Sequence, residues 1–530
     1  MNKFRIPTVC FMIIMLVLMS MPSLAFGASA NVHLSDSTGV QLDWEYKETP
    51  PKRPKPMLLN SANYETKWKI DNSLLVDIVQ DQNGIIYTTD ADDIVQAIYP
   101  NGKVKWSIQL DMGFENPVIY LKLGQDGTIY AHSSNLLGDP RLTSIYALSP
   151  EGKVQWNLSP TSTIISQFDD HFAGDAQGNL VYFTNQGLVS RNAKGDINWI
   201  DEDITSSDYL DGLHISNLFT DPQSNIYVDS ANKEIISLDS LGNVRWTSAP
   251  QNYLDPYNTF HPYFSDAGFL YMLTVSGLHA LNAEDGSTVT MTRDSDIADI
   301  RSSGIPTDGK GGYYIIPRGI VQKVDYAGDI ISEYDERATE NYGVDFDSLV
   351  TDSRGNAYFN TGSGNIIGLN PDGQEIFAFL RNAFWHKITK IVIGKNGNIY
   401  SSNHDIGLVA FGPKQIQVYK DNLSLPLSVA PIKDGGTVLV PFRSLFEGFG
   451  LAVGWDPASQ TITGTREGLN IQMAMGSKTA YVNGQAKQLT VAPQSVNNST
   501  YIPLRFVGES LGMNVSWDAK SSSVNIDSKG

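Results

Sequence analysis

Cysteine is almost absent from this sequence of 530 residues, with Cys10 as the one example. It lies within the layout of a secretory signal peptide, which has basic residues near the N-terminus, an uncharged apolar run over 6–19 and small residues over 25–30. We therefore predict a signal peptide over residues 1–30, with a retained membrane anchor as the alternative. Because Cys10 would leave with that segment, no disulfide, thiolate nucleophile or cysteine metal site is expected in the mature protein.

Long apolar runs are absent after the signal peptide, and basic charge is scarce. The 38 Lys and Arg residues are outnumbered by 57 Asp and Glu residues, which gives a formal net charge of −19. Nucleic acids and anionic membranes would repel such a chain, so neither is an expected partner, and no membrane span is expected after cleavage. The acidic charge favours solubility over a specific role with cations. We expect a secreted or cell-surface protein.

Histidine is scarce and scattered. The eight histidines lie singly between His33 and His404, without the spacing of a metal site, and none falls in the segment after Phe411. Two stretches that look like cofactor-binding motifs lack the required spacing or order. GSGNIIG at Gly362 is one residue too long for a dinucleotide fingerprint, and GSKT at Gly476 lacks the residue order of a phosphate loop. We therefore predict no catalytic, cofactor-binding or metal-binding residues and no cofactor.

A repeated turn dominates the middle of the chain. Its form is Asp-x-x-Gly-x-x-Tyr, as in DQNGIIY from Asp81 and DSRGNAY from Asp352, with looser copies between. Eight copies end at tyrosines that lie about 45 residues apart, which is the period of a propeller blade: Tyr87, Tyr130, Tyr182, Tyr227, Tyr271, Tyr314, Tyr358 and Tyr400. Each copy predicts a turn followed by a strand.

A second landmark comes after most of the turns. It reads Gly-Lys-x-x-Trp or similar and ends at Trp106, Trp156, Trp199 and Trp246, and later copies lose the tryptophan. Each unit is thus predicted to be a small antiparallel sheet that cannot bury both faces alone, so neighbouring units should stack around an axis with aromatic side chains between them. We expect residues near Trp68 to contact residues near Phe411 and close the ring, which would protect the sheet edges.

These turns and tryptophan strands, from about Trp68 to Phe411, resemble the quinoprotein-type (PQQ-like) β-propeller repeats. The resemblance implies a propeller over residues 67–413, with eight blades, or seven if the terminal units merge. Residues 31–66, including the proline-rich stretch 50–56, are expected to form an N-terminal extension and linker. Quinoprotein enzymes typically hold their quinone beside a vicinal disulfide and use calcium with an aspartate base. The mature chain lacks cysteine, and its aspartates lie mostly in the repeat turns, where solvated turn chemistry is expected.

The segment after Phe411 contains its own duplication. VPFRSLFEGFGLAVGWD from Val440 and IPLRFVGESLGMNVSWD from Ile502 share one offset of 62 residues, so Trp455 corresponds to Trp517. Each copy predicts strand, helix, strand, strand, with both tryptophans buried in the core. The pairs Arg443 with Glu447 and Arg505 with Glu509 are expected to form helix-face ion pairs or to anchor onto a neighbouring strand.

This segment resembles the copper amine oxidase N-terminal-like, or stalk, domain of Gram-positive exported proteins. The motifs that carry the resemblance are VPFRSLFEGFG, SKTAYVNG from Ser477 and YIPLRFVGESLG from Tyr501. The family name does not imply copper chemistry here, because the copper and quinone of amine oxidases lie in a different, larger domain. The predicted domain covers residues 414–530.

The predicted fold class is mainly β, a β-propeller followed by a small α+β domain made of a duplicated β-α-β-β unit. The predicted function is an exported, non-catalytic binding or scaffold protein whose propeller presents an interaction surface to an extracellular protein or a polysaccharide. The alternative is a secreted quinone-dependent dehydrogenase or another propeller enzyme with a site in the central channel. Convergent charged side chains around one cavity would favour the enzyme.

Overall fold

The computed structural model describes most of the chain in segments. These are residues 30–35, 39–44, 58–60, 63–70, 75–90, 92–113, 118–124, 126–134, 143–161, 172–184, 186–204, 218–229, 234–248, 263–264, 268–274, 277–290, 312–316, 320–325, 329–335, 348–361, 365–380, 390–403 and 407–529. Residues 1–29 of the predicted signal peptide and the proline-rich stretch 50–56 lie outside the described residues.

The chain divides into two compact units, Met1–Pro56 and Met57–Gly530. In the first unit, β1 (Ala30–Ser35) and β2 (Gly39–Trp44) form an antiparallel hairpin. The second unit contains the β-propeller and the C-terminal domain. Across the described residues the fold is mainly β, and none of the helices there has the length and apolar character needed to cross a bilayer.

Two short strands open the second unit, β3 (Leu58–Asn60) and β4 (Tyr64–Ile70). Both pair with strands near the end of the propeller. The first five propeller sheets come next along the chain, and their strands are β5 (Leu75–Gln80), β6 (Ile86–Asp90), β7 (Ile94–Ile98), β8 (Val104–Gln109); β9 (Val118–Leu123), β10 (Ile129–Ser134), β11 (Thr143–Leu148), β12 (Val154–Thr161); β13 (Phe172–Gly174), β14 (Leu180–Thr184), β15 (Gly187–Arg191), β16 (Ile197–Asp201); β17 (Leu218–Thr220), β18 (Ile226–Asp229), β19 (Ile235–Leu238), β20 (Val244–Thr247); and β21 (Tyr263–Phe264), β22 (Phe269–Thr274), β23 (Gly277–Asn282), β24 (Thr288–Thr290).

Three further sheets complete the propeller as far as the structure describes it. Their strands are β25 (Gly312–Ile315), β26 (Ile320–Asp325), β27 (Ile330–Asp335); β28 (Val350–Thr351), β29 (Ala357–Asn360), β30 (Ile366–Leu369), β31 (Glu375–Leu380); and β32 (Ile391–Ile393), β33 (Ile399–Asn403), β34 (Gly407–Pro413). The first strands of successive sheets, such as β5 and β9, contact one another, so these strands lie on the inner side of the ring.

The repeat turns fold as the sequence predicts. In the first turn, one carboxylate oxygen of Asp81 accepts hydrogen bonds from the backbone N–H groups of Asn83 and Ile85, both at 2.9 Å. Gly84 adopts a φ of 83°, a left-handed conformation that glycine reaches without a steric penalty. The tyrosine that ends the turn, Tyr87, is fully buried and its hydroxyl donates to Asp81 at 3.2 Å.

The tryptophans lie on the outermost strands and dock onto the next sheet. The indole Nε1 of Trp106 donates to the backbone carbonyl of Pro150 at 2.9 Å, and a Cβ at Gly152 would lie 2.5 Å from that indole. The same arrangement recurs with Nε1–O distances of 2.9–3.1 Å for Trp68 to Pro100, Trp156 to Ala193, Trp199 to Ser240 and Trp246 to Ala283. Each indole therefore needs a glycine in the following unit.

Strand β4 closes the ring. It pairs antiparallel with β34, with Trp68 opposite Ala410 and Thr66 opposite Phe411. Trp68 then docks onto the first sheet through Pro100. The predicted contact between the two ends of the repeat is therefore confirmed. Since β4 begins at Tyr64, the closing strand starts before the predicted propeller boundary at residue 67.

Strand β3 adds a fifth strand to the sheet that ends in β31. Leu58 pairs with Leu380 and Asn60 with Ala378. The predicted extension over residues 31–66 thus supplies two strands to propeller sheets.

The C-terminal domain repeats one order of elements. Its strands and helices are β35 (Gln417–Lys420), β36 (Leu423–Ser424), β37 (Ile432–Asp434), β38 (Thr437–Pro441), α1 (Phe442–Gly448), β39 (Ala452–Asp456), β40 (Thr461–Arg466), β41 (Leu469–Ala474), β42 (Thr479–Val482), β43 (Gln485–Gln488), β44 (Gln494–Val496), β45 (Ser499–Pro503), α2 (Leu504–Ser510), β46 (Asn514–Asp518) and β47 (Ser523–Asp527). The bounds of β45, α2 and β46 are those of β38, α1 and β39 shifted by 62 residues. Strands β38 and β45 pair antiparallel with Val440 opposite Ile502, its own equivalent in the duplication.

Both helices end in the same way. Gly450 has a φ of 71°, its N–H bonds the carbonyl of Glu447 at 2.9 Å, and the N–H of Leu451 bonds that of Phe446 at 2.8 Å. This is a Schellman ending, which Gly512 repeats after α2.

The helices pack one apolar face into the domain core and leave the other face in solvent. Leu445 and Phe446 of α1 are buried, as are Leu504 and Val507 of α2. On the outer faces, Arg443 and Glu447 approach to 3.7 Å, and Arg505 and Glu509 approach to the same distance with their side chains more than half exposed. Of the two roles predicted for these pairs, the structure shows the helix-face ion pair, which adds little stability at an exposed site.

Candidate functional site between the propeller and the C-terminal domain

A buried polar network joins the propeller to the C-terminal domain. Gln417 at the start of β35 donates from Nε2 to Oδ1 of Asn398 at 2.6 Å and accepts the hydroxyl of Tyr419 at 2.5 Å. Tyr419 and Asn398 are almost completely buried. Burial, with a smaller effect of Tyr400, raises the pKa of Tyr419, so the phenol stays protonated and continues to donate.

A second group of contacts ties the first propeller sheet to the C-terminal domain. Asn101 donates from Nδ2 to Oδ1 of Asn422 at 3.0 Å and to Oδ1 of Asn525 at 3.2 Å. On the closing strand, Lys67 Nζ donates to the carbonyl of Gln415 at 3.1 Å. Directional bonds at both places fix the C-terminal domain against the propeller, because buried polar groups that lost their partners would cost free energy.

These contacts border a cleft of about 500 Å³. One wall consists of turn residues from the first and last propeller sheets, and the other is the extended segment after β35. The lining residues are Gln80, Gln82, Asn83, Gly84, Pro100, Lys395 and Asn396 on the propeller side and Gln415, Ile416, Gln417, Val418, Leu423, Ser424, Leu425, Pro426, Leu427, Val429, Ala430 and Pro431 on the other. The volume suits a short segment of a polymer.

The cleft is rich in amides and aliphatic side chains. Lys395 carries the one charge among these lining residues, and its Nζ donates to the carbonyl of Gln82 at 3.1 Å. Asn396 bridges the walls by donating to Oγ of Ser424 at 3.4 Å. Amides can donate to and accept from a backbone or a hydroxyl, and the aliphatic groups offer apolar contact, so this arrangement suits recognition rather than proton transfer.

An ion pair with a buried carboxylate lies at the inner strands. Asp77 on β5 accepts from Lys390 Nζ at 3.0 Å, and its carboxylate also accepts the backbone N–H groups of Ile78 and Leu121, each at 2.8 Å. Leu121 belongs to the neighbouring strand β9 and Lys390 directly precedes β32. The carboxylate thus links three sheets and has partners at both oxygens. This pair has a structural explanation, and it does not by itself make the convergent charged cavity that an enzyme in the channel would require.

The turn aspartates are less solvated than the sequence suggests. Asp175 and Asp221 are buried, and Asp221 accepts from the backbone N–H groups of Gln223 and Asn225 and from the hydroxyl of Tyr227 at 3.0 Å. The prediction that these residues serve turns holds, but the expected solvation is wrong at these two positions. Side chains from the following strand cover the carboxylate because the turn folds back over its own sheet.

One described histidine is a packing residue. His132 is almost fully buried and stacks on Phe172 at 4.0 Å between ring centroids, with Tyr120 at 5.7 Å. Across the part of the chain that the structure describes, no group of three or more metal-ligating side chains comes together. The histidines at 171, 214, 261, 386 and 404 lie outside the described residues.

The predicted burial of Trp455 and Trp517 is wrong. Trp455 is 43% exposed and Trp517 is 38% exposed. Each lies opposite a buried residue, Ile462 and Val524 respectively, so each side chain is on the core face of its sheet. Both, however, occupy edge strands, β39 and β46, where no further strand covers the ring. The sequence pattern identified the correct face but not the missing neighbour.

Sequence similarity identifies the C-terminal domain. Residues 419–526 match the copper amine oxidase N-terminal domain family. The predicted recognition of this domain is confirmed, and the chain is a β-propeller followed by a copper amine oxidase N-terminal-like domain. A search of curated proteins finds no match.

Two solved structures are similar to this chain at low identity. BamB from Moraxella catarrhalis is 17% identical, with a TM-score of 0.46 over 67% of this chain and 100% of that protein chain. The C-terminal WD40 domain of Sif2 is 10% identical, with a TM-score of 0.47 over 66% of this chain and 97% of that chain.

The cleft residues were not predicted from the sequence. Its two walls come from positions as far apart as Gln82 and Val429, which only tertiary packing brings together. One signal was present in LSLPLSVAP, the stretch from Leu423 to Pro431, because an apolar segment with two prolines fits neither a regular strand nor a helix. Such a segment beside a domain boundary is a candidate wall for an interdomain site.

Proposed function

We propose that this protein is an exported, non-catalytic binding protein, and that the cleft between the propeller and the C-terminal domain holds an extended polypeptide segment of a partner. In this proposal the propeller is the rigid scaffold and the copper amine oxidase N-terminal-like domain supplies the second wall. We also propose that the propeller is of the PQQ-like type with eight blades, and that the C-terminal domain is a duplicated β-α-β-β unit.

The composition of the cleft carries the proposal. A polypeptide offers backbone groups at every residue, and amide side chains such as those that line this cleft can both donate to and accept from such groups. Aliphatic partner side chains can contact Leu427 and Val429, and Val429 is 39% exposed. Sugar sites usually offer aromatic rings for stacking, whereas the residues that line this cleft are mostly aliphatic or amide and include no aromatic side chain. This chemistry favours a peptide over a glycan.

A displayed peptide library provides the test. The chain from Asn31 onward would be immobilised and used to select dodecapeptides, and the selected peptides would be measured against two variants. Val429→Arg places a charged side chain in the cleft, and Val244→Arg is the matched control because Val244 is 56% exposed on the outer propeller strand β20. We expect selected peptides of low charge that bind the control like the parent protein and bind Val429→Arg at least tenfold more weakly.

Three results would contradict this proposal. Peptides that bind both variants equally would place the binding surface elsewhere, and loss in Val244→Arg alone would move it to the outer edge of the propeller. Neutral oligosaccharides from a glycan array that bind in a Val429-dependent way, with no peptide selected, would make the cleft a saccharide site.

A non-catalytic role also makes a chemical prediction. The chain from Asn31 onward should take up no stoichiometric copper and should not reduce dye with amines or alcohols when pyrroloquinoline quinone and calcium are supplied. Metal content and dye reduction against a cofactor-only blank measure both. Turnover above the blank would favour the enzyme instead.

A further inference from the structure

The two exposed tryptophans of the C-terminal domain differ in what covers them. The ammonium of Lys433 lies 4.9 Å from the centroid of the Trp517 ring. In the part of the chain that the structure describes, no cation lies over the Trp455 ring at a comparable distance. A lysine over an indole face is a favourable cation–π contact.

Strand register shows what occupies the position of Lys433 in the other copy. Lys433 on β37 pairs with Val438. Ser495 on β44 pairs with Thr500, and both of these residues lie 62 positions after their counterparts in the first pair. Trp455 pairs with Ile462 and Trp517 with Val524, again offset by 62. Since β38 and β45 pair at the equivalent residues Val440 and Ile502, the two halves are related by an approximate two-fold axis.

That axis places Ser495 relative to Trp455 as Lys433 is placed relative to Trp517. The serine side chain is too short to reach an indole face and carries no charge, so the ring of Trp455 keeps the exposure that Lys433 reduces at Trp517. The next residue, Asp456, is an exposed carboxylate whose pKa is lowered by hydrogen bonds from Ser459 and from the backbone N–H of Ala458, so it stays ionised at neutral pH. An open indole face favours a cation, and the Asp456 carboxylate, although it lies on the opposite face of the same strand, adds to the negative charge of this region.

We propose that Trp455 receives a lysine side chain of a polypeptide partner, with the ammonium over the indole as Lys433 lies over Trp517. The equivalent copy within the same domain shows the chemistry of the occupant. The acidic protein as a whole, with its formal net charge of −19, would also attract a lysine-bearing partner. This site is separate from the interdomain cleft and does not depend on its function.

Fluorine NMR of the chain from Asn31 onward, labelled with 5-fluorotryptophan, gives a signal for each tryptophan. Trp455→Phe and Trp517→Phe assign the two signals. The probe is an uncharged-ended Gly-Lys-Gly-Lys-Gly-Lys peptide at constant ionic strength, and its lysine-acetylated form is the control because acetylation removes the charge. We expect the Trp455 signal to shift with the lysine peptide, the Trp517 signal to stay, and the acetylated peptide to shift neither.

Two reciprocal substitutions test the position. Ser495→Lys supplies an internal ammonium to Trp455. It should therefore weaken the affinity for the peptide, followed by the shift of the Trp455 signal, by about two- to fivefold, the range for an exposed cation–π contact. Lys433→Ser uncovers Trp517 and should make its signal respond to the peptide. Both positions are exposed on short strands, so neither change disturbs the core.

Several outcomes would overturn the proposal. An unchanged Trp455 signal, or an equal shift with the acetylated peptide, would remove the cationic site. Peptide binding unaffected by Ser495→Lys would show that Trp455 is not occupied in the way that Trp517 is. Spermine or an oligomer of glucosamine that shifts the Trp455 signal, with no shift from the lysine peptide, would assign the site to another amine and exclude a polypeptide.

Discussion

Tryptophans recur at regular intervals in both domains, but their surroundings differ. In the propeller, each docking indole on an outer strand lies against a glycine turn of the next sheet and donates to a carbonyl there, and Trp246 is only 8% exposed. In the C-terminal domain, Trp455 and Trp517 occupy edge strands and remain 43% and 38% exposed.

The difference depends on whether another sheet lies next to the strand that carries the tryptophan. A propeller sheet has a neighbour on each side because the ring closes through β4, whereas β39 and β46, which carry Trp455 and Trp517, are edge strands of their sheets. A recurring tryptophan thus serves packing in the ring and remains available for contacts at the open edges of the C-terminal domain. Substitutions at matched positions in the two domains test whether these surroundings determine what each tryptophan contributes to stability.

The largest effect is expected from Trp246→Ala. Removing an indole that is nearly fully buried, with its hydrogen bond to Ala283, should cost about 3–5 kcal/mol of propeller stability. Urea unfolding followed by hydrogen exchange of propeller peptides measures this domain separately from the other. A cost below about 1 kcal/mol would mean that docking between sheets contributes little.

Two glycines allow the steric effect of indole docking to be measured separately from the effect of backbone conformation. Gly242 has a φ of 85° and a Cβ there would lie 2.8 Å from Trp199, whereas Gly268 has a φ of 79° with no atom within 4 Å of a Cβ. Gly268→Ala should cost about 1–2 kcal/mol from the left-handed backbone alone. Gly242→Ala should cost about 1–3 kcal/mol more from overpacking against the indole. Equal losses in the same unfolding experiment would exclude a steric role for docking.

Acid stability should differ between the turns of the two domains. Burial tends to raise the pKa of Asp352, but hydrogen bonds from Asn356 and Arg354 outweigh it, so the pKa lies below its usual value. A depressed carboxyl pKa stabilises the fold above the pKa of the unfolded chain, about 4, and that contribution is lost as the pH falls through the lower folded value. Asp352→Asn should therefore flatten the decline of propeller stability below about pH 4.

The exposed turn residue Asp456 is the matched control for that experiment. Asp456→Asn should change the acid dependence of the C-terminal domain less than Asp352→Asn changes that of the propeller, because solvent screens an exposed carboxylate. The midpoint of urea unfolding at several pH values measures both. A larger effect of Asp456→Asn than of Asp352→Asn would contradict the stabilising role given to the Asp352 carboxylate.

The smallest effect is expected from Trp455→Ala. Because the ring lies at a sheet edge and is 43% exposed, its loss should cost less than about 1 kcal/mol of stability in the C-terminal domain. Hydrogen exchange of peptides from β39 and β40 provides the measurement. A cost near that of Trp246→Ala would restore the core role that the sequence suggested.

Much of the propeller could be predicted because its information is local. The turn from Asp81 to Tyr87 contains the capping carboxylate, the glycine and the strand residue that it needs, and copies such as DSRGNAY from Asp352 repeat them. The same holds for the ending of α1 at Gly450, where a single residue type is required by the backbone conformation. The cleft could not be predicted in this way, because Gln82 and Val429 come together only after both domains have folded.

The repeat period, the turns and the 62-residue duplication were predictable from the sequence, because the period and the duplication are read from recurring residues and each turn depends on residues close together in the chain. The strand that Leu58–Asn60 adds to a propeller sheet, and the position of Lys433 over the Trp517 ring, could be seen only in the folded protein. The physical reason is that burial depends on the element across the edge of a sheet, and that neighbour is supplied by chain topology rather than by the residue itself.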